Sequence, residues 1–248
     1  MKKISEYREI CQKKQISNEG ESGVKLFFRL ISIYFTVGFI YLRIKPNNVT
    51  LLSIFIGFLS AISYYQGLLN LGSLFLLISI TLDFCDGEVA RYFNAGSLEG
   101  QYLDLILHWV LHPVIICSIT LHLYNQDNSD TLILVMGFIS AISSVLISLV
   151  RTYAKYIIFW LNNKEAIKRD DKKTNYSQKS YFLKLLSKIT EFYDFPFIML
   201  IFIAFSYLNL LYDIELLRPL IIFLGVTFPL IISGFIFSNV KNKRLTVQ

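Results

Sequence analysis

Residues 46–82 read PNNVTLLSIFIGFLSAISYYQGLLNLGSLFLLISITL and contain no Asp, Glu, Lys or Arg. A membrane-spanning helix needs about 20 apolar residues to cross the hydrocarbon core of a bilayer. The run is therefore too long for one helix and suits two, and Gln66-Gly67 and Asn70-Leu71-Gly72 supply a turn in its middle. We expect two antiparallel spans, over residues 47–66 and 71–92.

Four further charge-free runs follow along the chain. They are Leu105–Gln126, Thr131–Val150, Phe195–Tyr212 and Pro219–Val240. We place the remaining spans at 99–123, 131–160, 193–211 and 217–239.

Of the 248 residues, 54% are hydrophobic and only 17% are charged, whereas a soluble domain is about 25% charged. This composition excludes a soluble globular fold, a disordered protein and a secreted disulfide scaffold, and we interpret the cysteines Cys11, Cys85 and Cys117 as reduced.

The stretch Val24–Ile44 is apolar but is interrupted by Lys25, Arg29 and Arg43. A seventh crossing here would place the basic N-terminus on the outer side, so we predict an amphipathic helix lying in the membrane interface. The expected fold class is an all-α integral membrane protein with six transmembrane helices preceded by an interfacial helix. The expected domains are a cytoplasmic N-terminal segment (1–24), a membrane domain (25–240) and a cytoplasmic tail (241–248).

Lys and Arg predict the orientation, because they concentrate in cytoplasmic loops. With the N-terminus inside, the outer loops 67–70, 124–130 and 212–217 contain neither residue, and Arg218 is the only basic residue near the outer face. The inner loop 161–191 alone contains eight. We therefore expect a multi-pass protein of the cell inner membrane or an equivalent membrane. The basic residues are explained by topology, so the pI of about 9.1 does not indicate nucleic acid.

Residues 83–108 read DFCDGEVARYFNAGSLEGQYLDLILH and carry the candidate site. Helical spacing puts two sets of residues on facing stripes of the second and third spans. The first stripe contains Asp83, Asp86, Gly87 and Ala90, and the second contains Gly100, Asp104 and His108. Because the connection over residues 93–98 is short, we expect the two helices to be antiparallel neighbours, with these stripes facing each other near the membrane surface.

Carboxylates in a spanning helix cost about 2.5–3.5 kcal/mol each at the bilayer centre, and three that converge also repel one another. Divalent cations relieve both costs, and carboxylate oxygens suit Mg²⁺ or Mn²⁺. Gly87 and Ala90 leave room for a ligand, and the Arg91 guanidinium can grip a phosphate oxygen. The stretch therefore indicates a metal site for a phosphorylated substrate, rather than interfacial charges paired with one another or with water.

The stretch resembles the signature of the CDP-alcohol phosphatidyltransferase family, Asp-x2-Asp-Gly-x2-Ala-Arg-x8-Gly-x3-Asp-x3-Asp. Every fixed position through Asp104 matches, including the eight-residue gap between Arg91 and Gly100. Pro46-Asn47-x2-Thr50 also resembles an element of that family. The resemblance covers about residues 25–240.

The resemblance implies an enzyme of phospholipid synthesis that transfers a phosphatidyl group from a CDP-alcohol, usually CDP-diacylglycerol, to an acceptor hydroxyl and releases CMP. It implies that Asp83, Asp86 and Asp104 hold one or two Mg²⁺ or Mn²⁺ ions and that cytidine lies against Gly87 and Ala90. It also implies a homodimer among membrane lipids. By the same resemblance Asn47, Thr50, Arg91 and Gly100 are expected to bind substrate.

His108 departs from the family pattern, which has a fourth Asp implicated as metal ligand and general base. Three interpretations compete. His108 serves as the base, for which its unperturbed pKa of about 6.5 is better suited than that of Asp; it ligates a metal through its neutral nitrogen, which shifts preference away from Mg²⁺; or the site is degenerate.

The acceptor site is less defined. Arg151 and Lys155 share one face of the fourth span and resemble an arginine-rich run that the family uses for phosphorylated acceptors. We predict that they bind the acceptor's phosphate or carboxylate, against the alternative that they anchor the helix at the inner face. Two rival functions for the whole protein are a non-catalytic scaffold that kept the motif and a cation transporter.

Overall fold

The computed structural model describes residues 3–16, 23–126, 130–168, 195–212 and 215–241, which form eight α-helices and no strand. The helices are α1 (Ile4–Ile16), α2 (Gly23–Tyr41), α3 (Pro46–Tyr65), α4 (Leu69–Tyr92), α5 (Leu98–Gln126), α6 (Thr131–Lys168), α7 (Phe195–Tyr212) and α8 (Leu217–Lys241). Within these residues, six segments are long and apolar enough to cross a membrane. The protein is therefore an all-α, multi-pass integral membrane protein, as predicted.

The identity of the six segments differs in part from the prediction. Helices α3, α4, α5, α6 and α8 contain five of them, close to the expected positions. The sixth is α2, whereas α7, our fifth predicted span, is a shorter apolar helix. Arg29, one of the charges that interrupt this apolar stretch, is 8% exposed, and its Nη1 atom lies 3.9 Å from Glu88 Oε1. The interfacial position of α2 stays a prediction.

Helices α3, α4 and α5 pack closely through small side chains. Ser53 and Ser79 donate their hydroxyl hydrogens to each other's carbonyl oxygens at 2.9 Å, which joins α3 to α4. A Cβ atom at Gly57 would clash with the Leu111 side chain of α5. Small residues let membrane helices approach one another, so this packing holds the acidic ends of α4 and α5 against the start of α3.

The turn between α4 and α5 makes these helices antiparallel. Asn94 adopts a left-handed conformation with φ of 50°, and Ala95 N donates to Ala90 O at 2.9 Å to close the end of α4. This hydrogen-bond pattern ends a helix abruptly, and Asn tolerates the left-handed residue that it needs. Helix α5 then begins at Leu98, and the two predicted stripes meet through their side chains, since His108 Nε2 lies 3.9 Å from Asp83 Oδ2.

Helix α1 was not foreseen, because residues 1–24 appeared only as a polar segment. It packs against α2 and α4, and its residues Cys11 and Gln12 are 0% and 1% exposed. The N-terminal segment is therefore in contact with the helices that carry the acidic motif.

The expected basic cluster of loop 161–191 lies largely outside the described residues, as does the tail. Arg218, the one basic residue expected near the outer face, pairs with Asp130 at 2.8 Å and with Glu215 at 3.6 Å. These pairs offset its charge at the start of α8. The sidedness of the protein stays a prediction.

Candidate active site

Asp83, Asp104 and His108 come together between α4 and α5. One donor atom from each lies within 4.8 Å of the other two. His108 Nε2 is 3.4 Å from Asp104 Oδ1 and 3.9 Å from Asp83 Oδ2. The side chains of Asp83, His108 and Asp104 are 13%, 29% and 50% exposed, so the group runs from the protein interior towards an opening. We call these three residues the metal trio.

The metal trio fits a divalent cation. Asp83 Oδ1 is buried and has no hydrogen-bond partner in the part of the chain that the structure describes. A buried oxygen in that state costs about 1–3 kcal/mol, and a cation held by the trio would offset this cost. Two carboxylates suit Mg²⁺ or Mn²⁺. The imidazole nitrogen of His108 favours Mn²⁺, which is the softer of these two ions.

Asp86 lies outside the metal trio and is held by a different helix. Its Oδ2 accepts a hydrogen bond from Thr50 Oγ1 at 2.6 Å. Thr50 is 2% exposed and stands in the first turns of α3, which starts at Pro46. Proline is favoured at the first helical position because its missing N–H group is not needed there. The Pro-Asn-x2-Thr element is thereby in direct contact with the acidic motif.

A cavity of about 140 Å³ opens beside Asp86 and Asp104. Seven predicted site residues line it: Asn47, Thr50, Asp86, Gly87, Ala90, Gly100 and Asp104. Pro46, Ala95, Gly96, Ser97 and Gln101 complete the lining. The structure thus brings the Pro-Asn-x2-Thr element, the small residues of α4 and two of the carboxylates to one space.

Gly87 and Gly100 line this cavity, and each lies close to a neighbouring side chain because it has no side chain of its own. A Cβ atom at Gly100 would lie 3.1 Å from Asn47 Oδ1 and 3.3 Å from Ser97 Oγ. The amide of Gly100 donates to Ser97 Oγ at 3.0 Å. At Gly87 a Cβ atom would lie 3.2 Å from Arg91 Nη1. Both glycines therefore permit close approaches that a larger residue would strain.

Arg91 lies behind Gly87 and does not line the cavity. Its Nε atom donates to the backbone carbonyl oxygen of Cys11 in α1. The guanidinium is thus held between the N-terminal helix and the cavity wall. Its expected contact with a phosphate oxygen stays a prediction.

The two predicted acceptor residues, Arg151 and Lys155, lie in α6, but their side chains fall outside the described residues. Their roles stay predictions. His112, which shares a face of α5 with Asp104 and His108, is 5% exposed and packs edge-on against Phe228 with ring centroids 6.4 Å apart. It is a packing residue here.

Sequence reasoning missed two groups of residues at the site. Gln101 lines the cavity one helical turn before Asp104, a position that helical spacing alone was sufficient to reveal. Ala95, Gly96 and Ser97 belong to the connection between α4 and α5. No residue pattern indicates that this connection folds over the cavity, because loop conformation depends on the packing of the helices it joins.

A sequence profile described as CDP-alcohol phosphatidyltransferase matches residues 43–231. The chain belongs to the CDP-alcohol phosphatidyltransferase family. The match covers most of the chain and includes both motifs that carried the resemblance. The prediction of an enzyme of this family is confirmed.

Two further proteins are similar to the chain. A bifunctional IPC transferase and DIPP synthase from Archaeoglobus fulgidus is 40% identical over 65 residues, which are 26% of this chain and 13% of that protein. The chain thus matches only a small part of that curated relative. Phosphatidylinositol phosphate synthase from Mycobacterium tuberculosis, solved with CDP-DAG bound, superposes with a TM-score of 0.60 at 16% identity, covering 83% of this chain and 92% of that one. This similarity confirms the fold.

Proposed function

We propose that the protein transfers a phosphatidyl or related phospho-alcohol group from a CDP-alcohol, such as CDP-diacylglycerol, to an acceptor hydroxyl and releases CMP. The observation that carries the proposal is the cavity of about 140 Å³ beside the metal trio, with Asp86 and Asp104 on its wall. Membership in the family supports the reaction class. The solved relative with CDP-DAG bound supports the choice of donor.

The donor is bound by residues with separate tasks. Gly87 and Ala90 leave space for the cytidine against α4, and Asn47 and Gly100 line the same cavity from α3 and α5. The hydrogen bond from Thr50 engages one oxygen of Asp86 and so limits rotation of that carboxylate. Arg91 stands behind Gly87, where its positive charge favours the diphosphate.

Asp83, Asp86, Asp104 and His108 are the residues that would hold Mg²⁺ or Mn²⁺. When bound, such an ion neutralises charge on the diphosphate and helps to hold the phosphoryl group for in-line attack. The Asp83 side chain is 13% exposed and that of Asp104 is 50% exposed, so the donor would approach from the side of Asp104.

In the transfer, a bond forms between the acceptor oxygen and the phosphorus that bears the lipid alcohol, and the bond from that phosphorus to CMP breaks. The proton of the acceptor hydroxyl must go to a base, and we assign this role to His108. Its Nε2 atom is also the one that faces the two carboxylates of the trio, which supports the alternative role of metal ligand. One nitrogen cannot hold a proton and a metal at the same time, so the two roles give different responses to substitution.

The remaining parts of the proposal concern the setting of the reaction. Residues 25–240 form the catalytic membrane domain, the cavity faces the cytoplasm, and the protein works as a homodimer among membrane lipids. Arg151 and Lys155 bind the acceptor. The asymmetry of basic residues between the loops supports the cytoplasmic orientation.

The direct test uses purified full-length protein in lipid nanodiscs with labelled CDP-diacylglycerol, Mn²⁺ or Mg²⁺, and a panel of acceptors. The panel contains glycerol phosphate, inositol phosphate, serine, an amino alcohol and a non-lipid alcohol. We expect metal-dependent CMP release with one acceptor class. Binding of CDP-diacylglycerol without CMP release for any acceptor would instead support the scaffold.

A further inference from the structure

Helix α1 contacts the helix of the acidic motif at a buried carboxylate. This carboxylate has no role in the proposed transfer reaction. Glu88 is 0% exposed and lies in the same helical turn as Asp86. Its Oε1 accepts hydrogen bonds from Gln12 Nε2 at 2.8 Å and from Ser32 Oγ at 2.7 Å, and its Oε2 accepts one from Thr36 Oγ1 at 2.7 Å. We call Gln12, Ser32, Thr36 and Glu88 the Glu88 cluster.

Gln12 is the member of the Glu88 cluster that α1 contributes. Its side chain is 1% exposed, and the same Nε2 group also donates to the carbonyl oxygen of Arg29 at 2.7 Å. The Arg29 guanidinium lies 3.9 Å from Glu88 and offsets its charge. A buried carboxylate needs such partners, so loss of Gln12 would leave part of the charge without compensation.

A second contact holds α1 at the back of the cavity wall. Cys11 is 0% exposed and packs in an apolar cluster with residues of α2 and α4. Its carbonyl oxygen accepts the hydrogen bond from Arg91 Nε. Nη1 of the same guanidinium stands beside Gly87, which lines the cavity. A continuous path of contacts therefore runs from α1 through Arg91 to the donor cavity.

We propose that α1 is a positioning element of the donor site, docked on α4 through Gln12 and Glu88. The docked helix holds Arg91 and the turn from Asp86 to Ala90 in the arrangement that takes the CDP-alcohol. Gln12 and Glu88 act through this turn and not on the substrate, so they are positioning residues. The proposal rests on the proposed function for the identity of the ligand.

The test compares three variants of the full-length protein in lipid nanodiscs. Gln12→Ala removes both hydrogen bonds of the amide, and Gln12→Met removes them while keeping nearly the same volume. Lys13→Ala is the matched control on the exposed side of α1, since its side chain is 70% exposed and pairs with Glu9 at 2.6 Å. Two quantities are measured: the rate of maleimide labelling at Cys11, located by peptide mass spectrometry, and the Kd for CDP-diacylglycerol with Mn²⁺.

We expect both Gln12 variants to label at Cys11 at least about tenfold faster than wild type and to bind CDP-diacylglycerol about tenfold more weakly. The Lys13→Ala variant should match wild type in both measurements. Binding is measured at a temperature where thermal unfolding shows each variant to be folded, so reduced stability alone does not change the Kd. If Gln12→Ala does not fold, Gln12→Met decides the question.

Two results would overturn the proposal. Fast labelling of Cys11 with an unchanged Kd would show that α1 can leave α4 without effect on the donor site. If Cys11 is labelled by maleimide as slowly in the folded Gln12 variants as in wild type, the Glu88 cluster does not dock α1 on α4. Wild-type protein that binds CDP-diacylglycerol but releases no CMP would contradict the transfer function alone, because the positioning role is then decided by binding. Wild-type protein that does not bind it would contradict both.

Discussion

Thr50 and Asp86 are 36 residues apart in the chain, and the hydroxyl of the first donates to the carboxylate of the second at 2.6 Å. This hydrogen bond joins the two motifs that carried the family resemblance. It engages one oxygen of Asp86, which lies outside the metal trio. The donor cavity therefore depends on the register of α3 against α4 as well as on the acidic motif itself.

Replacing Thr50 by Val keeps the shape of the side chain and removes the hydrogen bond. Hydrogen bonds to charged groups contribute about 1.5–3 kcal/mol, so the Kd for CDP-diacylglycerol should rise by about tenfold or more. Isothermal calorimetry in nanodiscs would measure it. Thr50→Ser retains the hydroxyl and should bind as wild type does. Weaker binding by Thr50→Ser, with binding by Thr50→Val as in wild type, would mean that the methyl group, and not the hydrogen bond, matters.

The charge of Asp86 can be removed without loss of its contact with Thr50, because the side-chain oxygen of Asn also accepts a hydrogen bond. Asp86→Asn should abolish CMP release and weaken Mn²⁺ binding, measured by electron paramagnetic resonance of the free ion. Glu9→Gln is the control, since this carboxylate is 65% exposed and pairs with Lys13 on the surface of α1. Normal turnover by Asp86→Asn would remove this residue from the active site.

Substitutions of His108 distinguish the two roles, general base and metal ligand, that its position permits. His108→Ala should lower the rate by about 10²–10⁴ if the imidazole is the general base. His108→Asp should recover activity and shift metal preference towards Mg²⁺ if the side chain is mainly a ligand. Rates measured against pH with each metal distinguish these outcomes. Activity of His108→Ala close to that of wild type at every pH would exclude both roles.

Gly100 permits the close approach of Asn47 at the cavity wall. A Cβ atom there would lie 3.1 Å from Asn47 Oδ1, so Gly100→Ala should displace the amide and raise the Kd for CDP-diacylglycerol several-fold. Gly38→Ala is a suitable control, because a Cβ atom at that position in α2 meets nothing within 4 Å. Tight binding by Gly100→Ala would show that Asn47 can move without affecting the donor.

Gly137 of α6 packs against α5, away from the candidate active site. Its Cβ atom would lie within 2.7 Å of three side-chain atoms of Thr120, and Thr120 is 0% exposed. Overpacking of this kind typically costs about 1–3 kcal/mol, so Gly137→Ala should lower the thermal unfolding temperature. Gly234→Ala, where nothing lies within 4 Å, should not. An unchanged unfolding temperature for Gly137→Ala would indicate that α5 and α6 can separate without cost.

Several features of this protein follow from its sequence alone. Charge-free runs of about 20 residues predict spanning helices because a helix of that length crosses the bilayer and satisfies its backbone hydrogen bonds within the segment. The spacing of Asp83, Asp104 and His108 predicts their convergence because helical periodicity places such residues on one face. The short connection after α4 then brings the two faces together. These are local properties, and the structure agrees with them.

Other features were decided only by the tertiary structure. The docking of α1 depends on a hydrogen bond between Gln12 and Glu88, which are 76 residues apart, and no periodic pattern connects such positions. The burial of Arg29 likewise depends on a carboxylate of another helix, since a charged side chain is almost never fully buried unless it is paired. Polar residues in a membrane protein are costly to bury without partners, and it is the packing of distant helices that determines which partners they find.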